Sequence, residues 1–102
     1  MASEQAGDVG TVRFATGLFD IEAIKRAAYR FSDRVAIEIE PASDFVSCNL
    51  RLLSAKFQIG VVENEFRNEV LDQDLRLRIA KETESVRNLV LSLAFSKTGL
   101  QG

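Results

Sequence analysis

The stretch from Arg34 to Leu52, RVAIEIEPASDFVSCNLRL, contains two alternating apolar patterns separated by a short polar segment. Apolar residues occupy every second position from Val35 to Ile39, and a second alternation runs from Val46 to Leu52. A period of two is typical of a strand with one buried face. Between the two runs, residues 41–44 (PASD) supply residues that favour a turn. The stretch therefore predicts a β-hairpin with one apolar face.

Upstream of the hairpin, the pattern predicts a strand followed by a helix. Residues 11–18 alternate less regularly, which still favours a first strand. Asp20 is suited to cap a helix, and apolar residues at helical spacing predict that helix over about residues 21–32. The connection is long enough for a crossover, so the first half is predicted to be β-α-β-β. Residues 1–10 are small and polar, which predicts a flexible tail.

Downstream of the hairpin, the pattern becomes helical. Apolar residues recur four apart along two offset lines, Val62–Phe66–Val70 and Leu71–Leu75–Ile79. The offset leaves open whether residues 59–82 form one helix or two. Thr83 or Glu84 offers a fresh start, which predicts a separate final helix. The sequence therefore predicts a single α+β domain over residues 11–100, ordered β-α-β-β-α-α, with a three-stranded sheet and helices packed on one face.

Composition limits the chemistry. The chain has 102 residues, a net charge of -2, no histidine, no tryptophan and one cysteine, Cys48. Its mixed charges offer no basic surface for nucleic acid, and no apolar run is long enough to span a membrane. A lone cysteine cannot build an intramolecular disulfide or a cysteine-based zinc cluster. These features predict a cytoplasmic protein that is not an enzyme and uses no metal or cofactor.

Two clusters of charged side chains have a chemical and a simpler interpretation. Glu65, Glu69 and Asp72 are four and three residues apart, so on a helix they share a face that could bind a hard cation. Two i,i+4 pairs on the same helix have the acid on the N-terminal side, Asp72–Arg76 and Asp74–Arg78. This pattern favours a solvated surface of ion pairs.

The second cluster, Lys25, Arg26 and Arg30, could bind an acidic peptide or a phosphate group, but a plain solvated helix face is favoured. In the alternation of its predicted strand, Cys48 lies on the face that points into the core. This position is typical of a small buried hydrophobe and not of a nucleophile.

The end of the chain is unusually apolar. Residues 89–95 read LVLSLAF. One stripe is formed by Val86, Leu89, Val90 and Leu93, and Leu91 and Phe95 add a second line. A surface helix does not need two apolar lines. Either this helix is central, between the sheet and the preceding helix, or it offers a surface for a partner or a second copy. The edges of the small sheet could also bind an extended peptide by backbone pairing.

Three segments, FDIEAIKRAAYRFSDR, NEVLDQDLRLRIAKETE and RNLVLSLAFSKT, resemble the small HxsD proteins of His-Xaa-Ser systems. Asp72, Leu75 and Arg76 match the family motif near L-L-N-D-Y-x-L-R-E, whereas Gln73 replaces its tyrosine and Leu77 its final glutamate. The resemblance extends from about residue 14 to residue 100. It implies an accessory protein encoded in bacteria beside radical-SAM-type maturases and a polypeptide with His-Xaa-Ser repeats. It carries over no catalytic residue.

The resulting hypothesis is a binding module that helps such a maturase or its His-Xaa-Ser polypeptide. The predicted binding residues are Asp72, Leu75 and Arg76 in the motif, with Arg87 and Asn88 beside the apolar helix. The alternative is a structural homodimer without a separate client, joined through Leu91 and Phe95.

Overall fold

The computed structural model describes the backbone of residues 7–101 and the side chains of residues 7–93. Within these residues the elements are β1 (Val9–Ala15), α1 (Ile21–Arg30), β2 (Val35–Pro41), β3 (Phe45–Leu52) and α2 (Ile59–Gln101). The predicted α+β class and three-stranded sheet are confirmed. Residues 1–6 of the predicted tail and the side chain of Phe95 lie outside the described residues.

The sheet has the order β1-β3-β2, with β3 antiparallel to both neighbours. The strands β1 and β2 therefore run parallel to each other, with β3 between them. β1 begins two residues earlier than the predicted Thr11, because Val9 and Gly10 pair with Arg51 and Leu50 of the central strand. A Cβ atom at position 10 would meet the Glu63 carboxylate, so glycine permits α2 to pass close to the sheet here.

One face of the sheet is covered by both helices. Asp20 caps α1 as predicted, since its carboxylate accepts a hydrogen bond of 2.9 Å from the Glu22 N–H. Phe66 of α2 makes edge-to-face contacts with Phe14 of β1 and Phe31 beyond α1, at centroid distances of 6.0 and 5.6 Å. The buried core comprises Val12, Phe14, Ile24, Ala27, Phe31, Val35, Val46, Cys48, Leu50, Val62, Phe66 and Val70.

The second half of the chain forms one helix of 43 residues. The predicted separate helix starting at Thr83 or Glu84 is therefore wrong, and the observed order is β-α-β-β-α. No glycine or proline occurs between Gly60 and Gly99, so nothing in the local sequence breaks the helix. At a rise of about 1.5 Å per residue, α2 is about 64 Å long. The molecule is correspondingly elongated, with principal dimensions of 76 × 30 × 16 Å.

We expect Phe66→Ala to lower the free energy of unfolding by about 3–5 kcal/mol, because it removes a fully buried ring from the junction of sheet and helices. The matched control is Tyr29→Ala, which truncates an aromatic side chain that is 82% exposed and should cost less than about 0.5 kcal/mol. Urea unfolding followed by circular dichroism measures both changes. Equal losses in the two variants would contradict the assigned core.

Candidate functional site

The helix α2 has a buried part and a projecting part. Val62, Phe66 and Val70 pack on the sheet and on α1. From Arg78 to Leu93, by contrast, every residue is exposed. The projecting part therefore makes its surface available to other molecules.

An apolar stripe runs along the projecting part and begins just before it. Its side chains are between 52% and 63% exposed. Apart from one adjacent pair, Leu89 and Val90, consecutive members are separated by three, four or seven residues, so they share one face of the helix. The apolar stripe consists of Leu75, Ile79, Val86, Leu89, Val90 and Leu93.

The apolar stripe lies on the side of α2 roughly opposite to the side that packs on the sheet. A helix turns by about 100° per residue, and on this basis the stripe is centred about 165° from the line through Val62, Phe66 and Val70. The sheet therefore cannot cover the stripe. The interpretation of the final helix as a central one, between sheet and preceding helix, is wrong for this reason. The stripe is therefore an apolar surface that the described part of the domain leaves exposed.

The predicted motif residues lie at the N-terminal end of this stripe. Leu75 belongs to the stripe itself and is 56% exposed. Asp72 and Arg76 flank it and form an ion pair, with 2.7 Å between Asp72 Oδ2 and Arg76 Nε. Both side chains are accessible to solvent. The motif is thus a surface feature, continuous with the apolar stripe.

The other predicted residues lie beside the stripe and not in it. Arg87 and Asn88 line a shallow groove along the flank of the helix, and this groove is also lined by Arg76 of the motif and Ile79 of the stripe. Leu91 is exposed, but it follows Val86 by five residues and so is rotated from it by about 140°. The structure therefore separates Leu91 from the stripe.

A polar loop clamp fixes α2 where it leaves the domain. Asp74 Oδ1 accepts a 2.9 Å hydrogen bond from the Asp20 N–H, and Arg78 Nη2 donates one of 2.7 Å to the Leu18 carbonyl. Lys81 Nζ lies 3.2 Å from Asp20 Oδ2. The hydrogen bond from the Glu22 N–H, followed by that from Lys81, lowers the pKa of Asp20. The loop clamp, formed by Leu18, Asp20, Asp74, Arg78 and Lys81, holds the projecting helix to the loop before α1.

Sequence reasoning missed the loop clamp. It recognised Asp74 and Arg78 only as an i,i+4 surface pair, and that pair is present, with 3.0 Å between Arg78 Nε and Asp74 Oδ2. Their tertiary partners lie 54 and 60 residues away in the chain. The one local signal was the suitability of Asp20 as a helix cap.

The three predicted carboxylates each contact a basic side chain. Glu65 Oε1 lies 3.5 Å from Arg34 Nη1, and Glu69 Oε2 lies 3.4 Å from Arg30 Nε. Asp72 forms the ion pair with Arg76 described above. Of these three ion pairs, only Asp72–Arg76 has the i,i+4 spacing that the sequence favoured. Glu65 and Glu69 pair with residues outside α2, and the Glu69 side chain is only 20% exposed. Arg30 of the predicted cationic cluster is the partner of Glu69. Among the residues that the structure describes, no group of three or more His, Cys, Asp or Glu side chains could hold a metal ion.

The thiol of Cys48 is buried on the central strand, as its inward phase predicted. Burial raises the pKa of Cys48 to about 11. At neutral pH the side chain is therefore a protonated thiol, which packs as a small hydrophobe between Val12 and Ile39 of the neighbouring strands.

The comparisons with known proteins identify a family. A family model described as His-Xaa-Ser system protein HxsD matches residues 14–101. No curated protein and no solved structure matches the chain at a significant level. In addition, none of the described helices is both long and apolar enough to cross a membrane.

Because the loop clamp contains the carboxylate of Asp20, we expect the free energy of unfolding to depend on pH in the acid range. Because the pKa of Asp20 is lowered in the folded state, its carboxylate contributes stability that is present above the unfolded pKa and is lost as pH falls through the folded pKa. Asp20→Asn retains a capping side chain but lacks this ionisable group. We expect wild type to be more stable than Asp20→Asn at about pH 6 and this advantage to shrink at about pH 3.

Urea unfolding at both pH values measures this difference, with Asp44→Asn as a control outside the clamp. A wild-type advantage over Asp20→Asn that is the same at the two pH values would contradict the assignment. Asp20→Ala should cost about 1 kcal/mol at neutral pH, because it also removes the cap.

Proposed function

The chain belongs to the HxsD family of His-Xaa-Ser system proteins, and we propose that it acts in such a system as a non-catalytic module that presents its apolar stripe to a protein partner. The partner is the radical-SAM-type maturase or its His-Xaa-Ser polypeptide, and the setting is the cytoplasm. One observation carries the proposal. The stripe is continuous with the motif residues Asp72, Leu75 and Arg76, on the side of α2 that its own domain leaves uncovered.

The area of the stripe supports a complex of moderate affinity. Burying the exposed part of its six side chains contributes on the order of 1 kcal/mol each, and a matching apolar face on the partner contributes as much again. Association costs at least about 4 kcal/mol. The remainder corresponds to a dissociation constant of about 1 μM at best. Loss of one or two stripe side chains should therefore be readily measurable.

The charge within the stripe favours a different protein as the occupant. Glu82 lies on the same side of α2, between Ile79 and Val86, and is exposed. In a parallel, in-register pair of copies, Glu82 would face its own counterpart in an apolar seam, which is destabilising. A partner helix that carries lysine or arginine at this point would pair with the carboxylate instead.

A second candidate function, self-association, is favoured by one specific observation. Ile79, Val86 and Leu93 are seven residues apart, and Leu75 and Leu89 lie four residues before Ile79 and Leu93. This is the spacing of a coiled-coil seam, with β-branched residues at two positions and leucine at the alternate ones. The seam of such a homodimer would be the apolar stripe and would not contain Leu91.

The proposal predicts that substitutions in the stripe abolish partner binding without unfolding the protein. The tagged protein should first be purified gently from its native host at its own expression level, and its stoichiometric partner identified by mass spectrometry. With that partner, Leu89→Ser combined with Leu93→Ser should weaken binding about 100-fold in calorimetric titration, because two apolar contacts are lost. Asp72→Ala combined with Arg76→Ala should weaken it about 10-fold.

The matched control for the stripe is Leu91→Ser, which changes an equally apolar, exposed residue on a different side of the same helix. It should bind like wild type. Recovery of the protein alone from cells that express both proposed partners would overturn the proposal, as would full binding by the double stripe variant.

The role assigned to Glu82 can be tested by light scattering. At micromolar concentration, wild type should be a monomer, whereas Glu82→Leu should form dimers because it completes the apolar seam. Glu84→Leu is the control, since it adds the same side chain outside the stripe. A dimeric wild type that Leu89→Ser dissociates would replace the proposed function with self-association.

A further inference from the structure

A second interaction surface lies at the edge of the sheet and does not depend on the apolar stripe. The strand β2 pairs with β3 on one side. Among the described residues, no strand pairs with its other side. The backbone N–H and C=O groups along that side are therefore available to an added strand.

An apolar groove runs beside this edge, between α1 and β2. Ile37 and Ile39 line it from the inner face of the sheet, and both are only half-buried, because α2 packs on β1 and β3. Tyr29 of α1 and Leu53, directly after β3, also line the groove. Both side chains are exposed, and the exposed fraction of Leu53 is 54%. The inner face of β2 thus offers apolar contacts to a chain lying along the edge.

The outer face of the same edge strand is acidic. Glu38 and Glu40 alternate with Ile37 and Ile39, so their side chains lie on the opposite face of the sheet. Glu40 accepts a hydrogen bond of 3.1 Å from Asn49 Nδ2. In the described part of the chain, neither carboxylate takes part in a salt bridge. The edge therefore presents negative charge on one face and apolar groups on the other.

We propose that the β2 edge binds an extended peptide in which apolar and basic residues alternate, by adding it to the sheet as a fourth strand. An added strand has the same period of two as β2. Its apolar side chains would enter the groove against Ile37 and Ile39. Its basic side chains would then lie beside Glu38 and Glu40, where opposite charges on neighbouring strands stabilise pairing.

The same charges disfavour a second copy of this chain at the edge. If all seven residues of β2 paired antiparallel with those of a copy, Glu38 would face Glu38 of that copy, and Glu40 would face only Ala36. Like charges directly opposite each other destabilise a strand pair. A basic peptide avoids this conflict.

The test uses the full chain and a fluorescent eight-residue peptide, TRVRIRVT, with binding followed by anisotropy. We expect this peptide to bind at least 10-fold more tightly than TRRRVIVT, which has the same composition without the alternation. Two N-methylated versions of TRVRIRVT probe backbone pairing. Methyl groups on alternate nitrogens along one edge of the peptide should abolish binding, and methyl groups along the other edge should not.

Protein variants test the two faces of β2 separately. Glu38→Lys combined with Glu40→Lys should weaken binding of TRVRIRVT at least 10-fold and create binding of the acidic peptide TEVEIEVT. Leu53→Ser should weaken binding of TRVRIRVT to the wild-type protein and binding of TEVEIEVT to the double lysine variant, because Leu53 lines the groove that receives the apolar side chains of both peptides. The charge-matched control, Asp8→Lys combined with Asp33→Lys, lies outside β2 and should bind TRVRIRVT like wild type.

Equal binding of the alternating and scrambled peptides, or no binding of either at millimolar concentration, would overturn the proposal. It would also be overturned if light scattering showed a dimer that Leu53→Ser dissociates, since a second copy would then occupy the edge. These measurements involve no residue of the apolar stripe, so their failure is distinguishable from failure of the proposed function.

Discussion

The packing of Phe66 against Phe14 and Phe31 holds the long helix to the rest of the domain. It joins the sheet, the end of α1 and the long helix at one buried point. A ring packed between two other rings, one from the sheet and one from the end of α1, fixes not only the position of α2 but also its rotation about its own axis. Once this rotation is set, the side of the helix that faces away from the domain is determined along its whole length.

Because of this rotation, the apolar stripe of α2 faces away from the domain and is exposed to solvent. The helix is about 64 Å long, whereas the second dimension of the molecule is 30 Å, so a large part of α2 extends beyond the sheet. The loop clamp and the Asp72–Arg76 pair stabilise the region where it emerges. Beyond Lys81, the described helix has no tertiary support from its own domain. The apolar stripe consequently stays exposed to solvent along this part of the helix.

The two proposed surfaces use different physics. The stripe would bind through side chains alone, because every interior helical backbone group is already paired within α2. The β2 edge would bind through its backbone, with Ile37 and Glu38 selecting the partner by face. A module of about 100 residues can therefore contact a folded helix and an extended peptide without competition between them. Neither mode requires histidine, a reactive thiol or a metal.

Local pattern was sufficient to predict several features of the fold. The period of two in β2 and β3 predicted the hairpin and its buried face, because strand alternation depends only on neighbouring residues. The cap at Asp20 predicted the start of α1 for the same reason. Three segments of sequence were also enough to indicate the family, which the match over residues 14–101 confirms.

Local pattern could not predict which apolar residues are buried. Val62 and Leu75 both belong to lines of period four, and nothing local distinguishes the line that packs on the sheet from the one that faces solvent. The loop clamp was equally invisible, since Asp74 meets Asp20 across 54 residues of chain. Local patterns in the chain therefore predict the three strands, the first helix and the family, but not that residues 59–101 form a single helix. The fold determined which faces remain uncovered, because burial depends on contacts between residues that are distant in the chain.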